Sequence, residues 1–218
     1  MRRNIAVIGL SSFGFYLCKS LSEEGVQVIA IDLDEQKIES VKSFVKKAIV
    51  VDANDKETLR SLNITEFDTV VISVGDKIDI SVLITLYLRE LGVKEIVAKA
   101  MSSDHAKILN TLGATTVIFP ERDSARRMAR TLRGRNLLDF VPLAEEFSII
   151  EIAPPGSWIG KTLSEIDIRS EYDVQIIMIK EDIPENVVII PDGQSRIQKS
   201  DVLVLLGKND DLKKVEQL

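Results

Sequence analysis

The stretch Ile5-Ala6-Val7-Ile8-Gly9-Leu10-Ser11-Ser12-Phe13-Gly14 decides how this chain is read. A short run of β-branched and small apolar residues meets a glycine, and a segment with helical spacing follows. Phe13, Leu17 and Leu21 fall at i, i+4 and i+8, and Gly25 stands where a helix C′ residue belongs. Strand, glycine turn and helix in that order form the setting of a dinucleotide fingerprint. Its first glycine makes the turn, its second lets backbone approach the phosphates, and its third allows close helix–strand packing. Gly9 and Gly14 match the first and third, whereas Ser11 stands at the second. Taken alone, Gly9 and Gly14 read equally well as turn and packing glycines with no ligand.

Further runs extend the pattern: Val26–Ile31, Ala48–Val51, Thr69–Val74, Glu95–Ala98 and Thr115–Ile118. They are rich in Val and Ile and nearly continuous, as strands buried on both faces of a parallel sheet are. Leu83, Leu86 and Tyr87 repeat the helical stripe before Gly92, and Ile108, Leu109 and Leu112 before Gly113. Alternating strand and helix predicts a Rossmann-like, doubly wound α/β domain with a parallel sheet. It is assigned to residues 1–135, ending in a crossover helix over Glu121–Arg135. Residues 136–144 are expected to be a linker. In 145–218, runs at Ser148–Ile152, Val174–Ile179, Val187–Ile190 and Val202–Leu206 are separated by turn material such as Pro154-Pro155-Gly156 and Glu181-Asp182-Ile183-Pro184. That spacing predicts a second, smaller α+β domain. Its size is near the lower limit for an independent core, so pairing with another copy is expected.

Composition narrows the function classes. The 218 residues carry a formal charge of −6, which argues against nucleic acid, since duplex affinity comes from cations on phosphates. One cysteine, Cys18, and one histidine, His105, exclude a Cys-rich zinc site and a multi-His centre within one chain. No window reaches the ~18 apolar residues of a membrane helix, and the start at Met1-Arg2-Arg3-Asn4 does not read as a signal peptide. The expectation is an intracellular, soluble protein. Cys18 reads as core-facing, and His105, within Ser102-Ser103-Asp104-His105, as a surface or capping residue.

Candidate binding residues cluster at strand ends. Asp32 closes the second run where an acidic side chain would accept from both ribose hydroxyls, and it disfavours a 2′-phosphate and so NADP. It also reads as a solvated strand end or as an N-cap before Glu35–Phe44. Asp52-Ala53-Asn54 follows the third run, where adenine would lie, or is simply a loop with capping residues. Ser73 and Gly75 end the fourth run beside the glycine turn, where a small residue keeps the phosphate crevice open. Glu121, after the sixth run, could reach a phosphate-bound cation or serve the helix dipole. The helix it begins carries Arg122, Arg126, Arg130 and Arg133 on one face beside a stripe of Ala125, Met128, Ala129 and Leu132. That face is solvated or salt-bridged, or else meets an acidic neighbour. The tail offers no histidine and no convergent polar cluster, so a ligand sensor fits better than the alternative, a small NAD-dependent oxidoreductase.

Several segments together resemble the TrkA/KtrA family of potassium-transport regulators: Ala6–Gly14, Val28–Asp32, Val51–Asn54, Ala98-Lys99-Ala100, Leu112-Gly113-Ala114, Pro120–Asp123, Gly160–Leu163 and Ser200–Gly207. The resemblance spans an RCK N-terminal domain and its C-terminal partner. It implies a non-catalytic cytosolic gating ring, commonly an octamer, beneath a potassium-translocating membrane subunit (TrkH/KtrB-like) on the inner face of the membrane. It also implies an adenine nucleotide held by the turn Gly9, Ser11, Ser12, Phe13 and Gly14, with Asp32 on the ribose and Asp52 and Ala53 on the adenine. Ser73, Gly75 and Lys99 complete the set, and Glu121 sits near a divalent cation. Family members usually carry Gly at position 11, and many triphosphate binders carry Arg at position 12. Ser12 removes a bidentate phosphate donor and the Cβ of Ser11 crowds the phosphate path. The expectation is therefore AMP or ADP, with ATP and NAD(H) admitted second, in a homomeric ring or one mixed with a related RCK subunit. Cyclic di-AMP is disfavoured, because Asp167 and Glu171 flank Arg169 in the matching stretch.

Overall fold

The computed structural model describes residues 3–133, 136–181 and 186–218. They form two compact units, Met1–Pro120 and Glu121–Leu218. The first alternates β1 (Asn4–Ile8), α1 (Ser12–Glu23), β2 (Gln27–Asp32), α2 (Glu35–Val41), β3 (Lys47–Val50), α3 (Lys56–Ser61), β4 (Thr69–Ile72), α4 (Ile78–Leu91), β5 (Ile96–Lys99), α5 (Ser103–Leu112) and β6 (Thr116–Ile118). All five strand pairings are parallel, in the order β3-β2-β1-β4-β5-β6. The order reverses between β1 and β4, which is where open α/β sheets bind ligands.

Side chains alternate across each strand, so two apolar layers form. Ala6, Ile8, Ile31, Val70 and Ile72 pack with Leu59, Ile84, Leu88 and Leu109 from α3, α4 and α5. Ile5, Val7, Val28, Ala30 and Val71 pack with Cys18 and Ile38 from α1 and α2. Helix α1 ends in a Schellman motif: Gly25, at φ +74°, donates to Ser22 O at 3.0 Å, and Val26 donates to Leu21 O at 2.9 Å.

Three sequence readings need correction in this unit. The buried face of α4 is Ser81, Ile84, Thr85 and Leu88, one step away from the Leu83, Leu86, Tyr87 stripe. Nine residues of mixed apolar character blur the helical period. Ser81 and Thr85 can be buried because their hydroxyls donate to the helix's own carbonyls, Ile78 O at 2.9 Å and Ser81 O at 2.7 Å. On α5 the buried residues are His105, Ala106 and Leu109, whereas Ile108 is exposed. His105 is accordingly a core residue and not a surface one.

The second unit holds α6 (Pro120–Arg133), β7 (Leu137–Pro142), β8 (Phe147–Ile152), α7 (Leu163–Ile166), α8 (Ile168–Tyr172), β9 (Gln175–Glu181), β10 (Asn186–Ile189), β11 (Val202–Lys208) and α9 (Asn209–Glu216). Its antiparallel sheet runs β10-β9-β11-β8-β7. Ile150, Ile152, Trp158, Ile176, Leu203 and Leu205 centre the core, and Leu212 and Val215 of α9 close it. The segment expected as a linker, 136–144, instead carries β7, paired to β8 from Leu137↔Ile152 to Pro142↔Ser148 with a bulge. Proline at the strand's end and the polar Asp139 hid its alternation, and an edge strand tolerates both. The crossover helix, assigned above to the first domain, is grouped from Glu121 onward with the second unit. Its apolar stripe is exposed, at 57% for Met128 and 78% for Leu132. Arg135 and the turn residues 182–184 lie outside the described residues.

Candidate functional site

The carboxyl ends of β1, β2, β3 and β4 surround a cleft. Gly9 and Ser11 form one part of its wall, Asp32 and Lys37 a second, Asp52, Ala53 and Asn54 a third, and Val74 to Lys77 a fourth; Ile80 and Ile84 of α4 supply apolar floor.

Asp32 ends β2, with its side chain 11% exposed. Its Oδ2 accepts the backbone N–H of Leu10 at 2.6 Å, and its Oδ1 accepts that of Asp34 at 2.9 Å. Lys37 Nζ stands 3.8 Å from Oδ2. An ionised carboxylate offers about four acceptor positions, and the Leu10 and Asp34 N–H groups take two of them. The capping alternative for Asp32 does not hold. Asp34 caps α2 by accepting from Gln36 and Lys37 N–H at 2.9 and 3.3 Å.

The glycine turn is set by packing. Gly9 lies at φ +89°, and a Cβ there would meet Ser73 O at 2.5 Å; a Cβ on Gly14 would meet Gly9 O at 2.3 Å. Both glycines are thus required by close approach within the protein itself. Gly9 N–H reaches Ile31 O at 2.8 Å, and Ser73 N–H reaches Ile8 O at 2.7 Å, which locks the end of β1 to both neighbours. Ser11 is the N-cap of α1 yet makes no side-chain cap bond. Its hydroxyl pairs with that of the fully buried Ser73, Oγ to Oγ at 2.6 Å. In the adjoining loop, Asp52 Oδ1 accepts Asn54 N–H at 2.9 Å, which fixes a turn with Ala53 buried.

Of the twelve binding residues expected from the sequence, Gly9, Ser11, Asp32, Asp52, Ala53 and Gly75 line this cleft. Ser12, Phe13 and Gly14 lie in the first turn of α1 without lining it, and Ser73 sits beneath Gly9 and Ser11. Lys99 is buried at the end of β5, away from the wall. Glu121 is exposed in the first turn of α6. No three His, Cys, Asp or Glu groups gather into a cation site among the described residues. The sequence reading missed Lys37, Asp76, Lys77, Ile80 and Ile84. The i, i+4 pair Ile80 and Ile84 was a signal, obscured by the uniformly apolar α4.

His105 is 3% exposed. Its Nδ1 accepts Met101 N–H at 3.2 Å, so Nε2 carries the proton and faces Ser81 Oγ at 2.8 Å. Burial holds its pKa below the ordinary 6.5. Burial also pushes the Cys18 thiol up to about 12.

Residues 5–120 match the TrkA-N domain and residues 147–218 the TrkA-C domain. This chain thus belongs to the TrkA/KtrA family of potassium-transport regulators. It is 38% identical over 217 residues to Ktr system potassium uptake protein C of Bacillus subtilis, covering all of this chain and 97% of that one. It is 33% identical to Ktr system potassium uptake protein A of the same organism, covering 98% of this chain and 96% of that one. Among solved structures, the GsuK RCK domain superposes with a TM-score of 0.68 at 19% identity, over the whole of this chain and 48% of that one. A GsuK channel bound to NAD gives the same TM-score and identity over 39% of its length. Among the described residues, no helix is long and apolar enough to cross a membrane.

Proposed function

We propose that this chain is the nucleotide-binding, non-catalytic regulatory subunit of a Trk/Ktr-type potassium-uptake system. It would act in the cytoplasm as a gating ring under a potassium-translocating membrane subunit. Near-complete alignment with Ktr system potassium uptake proteins C and A supports the role. The observation that carries the ligand class is Asp32: a nearly buried carboxylate at the rim of β2, held by Leu10 and Asp34 N–H and lining the cleft. That is the chemistry of a vicinal ribose diol. Adenine would lie over Ala53 between Asp52 and the apolar Ile80 and Ile84.

AMP or ADP is the favoured occupant, with ATP and NAD(H) behind. Ser12 supplies no guanidinium for a γ-phosphate, and the wall carries three carboxylates (Asp32, Asp52, Asp76) against two amines (Lys37, Lys77), which opposes a polyanion. We assign Lys99 and Glu121 to the phosphate end only in an assembled ring, where a divalent cation would need ligands beyond one chain. A second ligand of the cyclic di-AMP kind is disfavoured: Asp167 and Glu171 flank Arg169, whose guanidinium is engaged by Gln175.

Regulation of this kind needs no bond chemistry. Inverting a 1:99 population takes ~5.5 kcal/mol, which several coupled sites of a ring supply with a modest differential affinity each. The test is potassium uptake by a transport-deficient cell that expresses the membrane subunit with and without this chain. Uptake that requires the chain, together with a large closed ring by native mass spectrometry, is expected. Uptake indifferent to the chain, or a monomer with dehydrogenase turnover, overturns the reading. One mass in the ring marks a homomer, whereas two mark a mixture with a related RCK subunit.

A further inference from the structure

We infer that the Ser11–Ser73 hydroxyl pair sets the length of phosphate chain the cleft accepts, closing it beyond a ligand's first phosphate. The inference rests on the adenine-ribonucleotide reading above and deepens it: the favoured occupant is a nucleoside monophosphate.

The pair spans the point where the strand order reverses. Ser11 closes the turn from β1 into α1, and Ser73 directly follows β4; their hydroxyl oxygens lie 2.6 Å apart, and Ser11 N–H donates to Ser73 O at 3.3 Å. Ser73 is fully buried and pinned by its own N–H on Ile8 O at 2.7 Å. Its hydroxyl therefore keeps Ser11 in place, because releasing it would leave a buried polar group without this partner. The consequence shows at α1, where Ser11 is the N-cap but its side chain makes no capping bond.

On the α1 side the cleft wall ends at Ser11, with Ser73 buried beneath it. The wall includes Gly9 and Ser11 but none of Ser12, Phe13 or Gly14. A ribose on Asp32 can place one phosphate at the turn. A second phosphate, or the other half of a dinucleotide, has to cross the line from Ser11 to Ser73, since the two halves of such a ligand lie on either side of the strand-order reversal. With glycine at position 11 that line would be open. The surplus carboxylate in the wall acts in the same direction.

The test is calorimetric titration of AMP, ADP, ATP and NAD onto the full chain and onto Ser11→Gly, Ser11→Ala and Ser73→Ala. The wild type is expected to bind AMP at least about tenfold tighter than ADP or NAD. Each substitution should narrow that gap by about tenfold, the size of one strong hydrogen bond. A gap unchanged in all three variants overturns the inference while leaving the ligand reading intact. A gap narrowed by Ser11→Gly alone also overturns it, because crowding by Cβ would then suffice without the hydroxyl pair. A wild type that binds none of the four ligands overturns both. Should Ser11→Gly fail to fold, the two alanine variants decide the matter, since both remove the pair and keep a Cβ at position 11.

Discussion

Leu10 donates its backbone N–H to Asp32 Oδ2 at 2.6 Å, so the carboxylate we propose for a ribose also holds the glycine turn in place. Site and fold share one residue. Asp32→Ala should therefore lower the stability of the chain by about 1–3 kcal/mol, the cost of leaving partly buried N–H donors unmade. Urea unfolding measures it. An unchanged midpoint would show that the Leu10 bond contributes nothing.

Gly14 admits no side chain. A Cβ there would stand 2.3 Å from Gly9 O, a backbone atom that cannot swing aside. Gly14→Ala is expected to cost about 1–3 kcal/mol by overpacking, whereas Gly75→Ala meets open space and loses only through its positive φ of 74°. Thermal unfolding of the two variants should rank them in that order.

Acid should loosen the α4–α5 contact through His105. The neutral ring accepts Met101 N–H at Nδ1, and a proton there would set donor against donor. Because the folded value lies below 6.5, the stability this ring contributes is complete above the unfolded value and is lost as pH falls through the folded one. The charged groups of the surrounding elements leave the imidazole to burial alone. Asp104 and Lys107 of α5 pair with each other in solvent, Asp79 opens α4, and Lys99 ends β5. The buried Asp201 of the second unit works the other way, since its raised pKa favours the fold in acid. Melting at about pH 7.5 and about pH 5, compared with His105→Asn, isolates the histidine. The wild type should lose more on acidification than the variant.

Cys18 is sealed under α1, fully buried, with its thiol pushed up to about 12. Thiolate is the reactive form. Alkylation near pH 8 should thus be negligible in the folded chain and rapid in denaturant, and rapid modification of native protein would contradict this packing.

Much of this was legible because the parallel strands are buried on both faces. Thr69 to Ile72 is buried throughout, and such runs cannot be mistaken for an alternating surface strand. Asp32 and the glycine turn stood out for the same reason, as polar or small residues ending apolar runs. What escaped was decided by tertiary satisfaction. Ser81, Thr85 and His105 look polar in sequence but are buried, because each finds a partner within α4, α5 or the loop after β5. Strand β7 escaped because it is an edge strand ending in Pro142, recognisable only by its pairing with β8. Lys37 and Lys77 gave no signal, since a lone lysine on a helix or at its start is ordinary until a cleft forms beside it.

The most direct test of the account is AMP titrated calorimetrically onto the wild type and onto Asp32→Ala, with circular dichroism showing both chains folded. Saturable binding to the wild type and a loss of at least about tenfold in the variant is the predicted result, as removal of a charged hydrogen-bond acceptor requires. Equal affinity for both chains would contradict it, because the ribose would then be held somewhere other than the rim of β2.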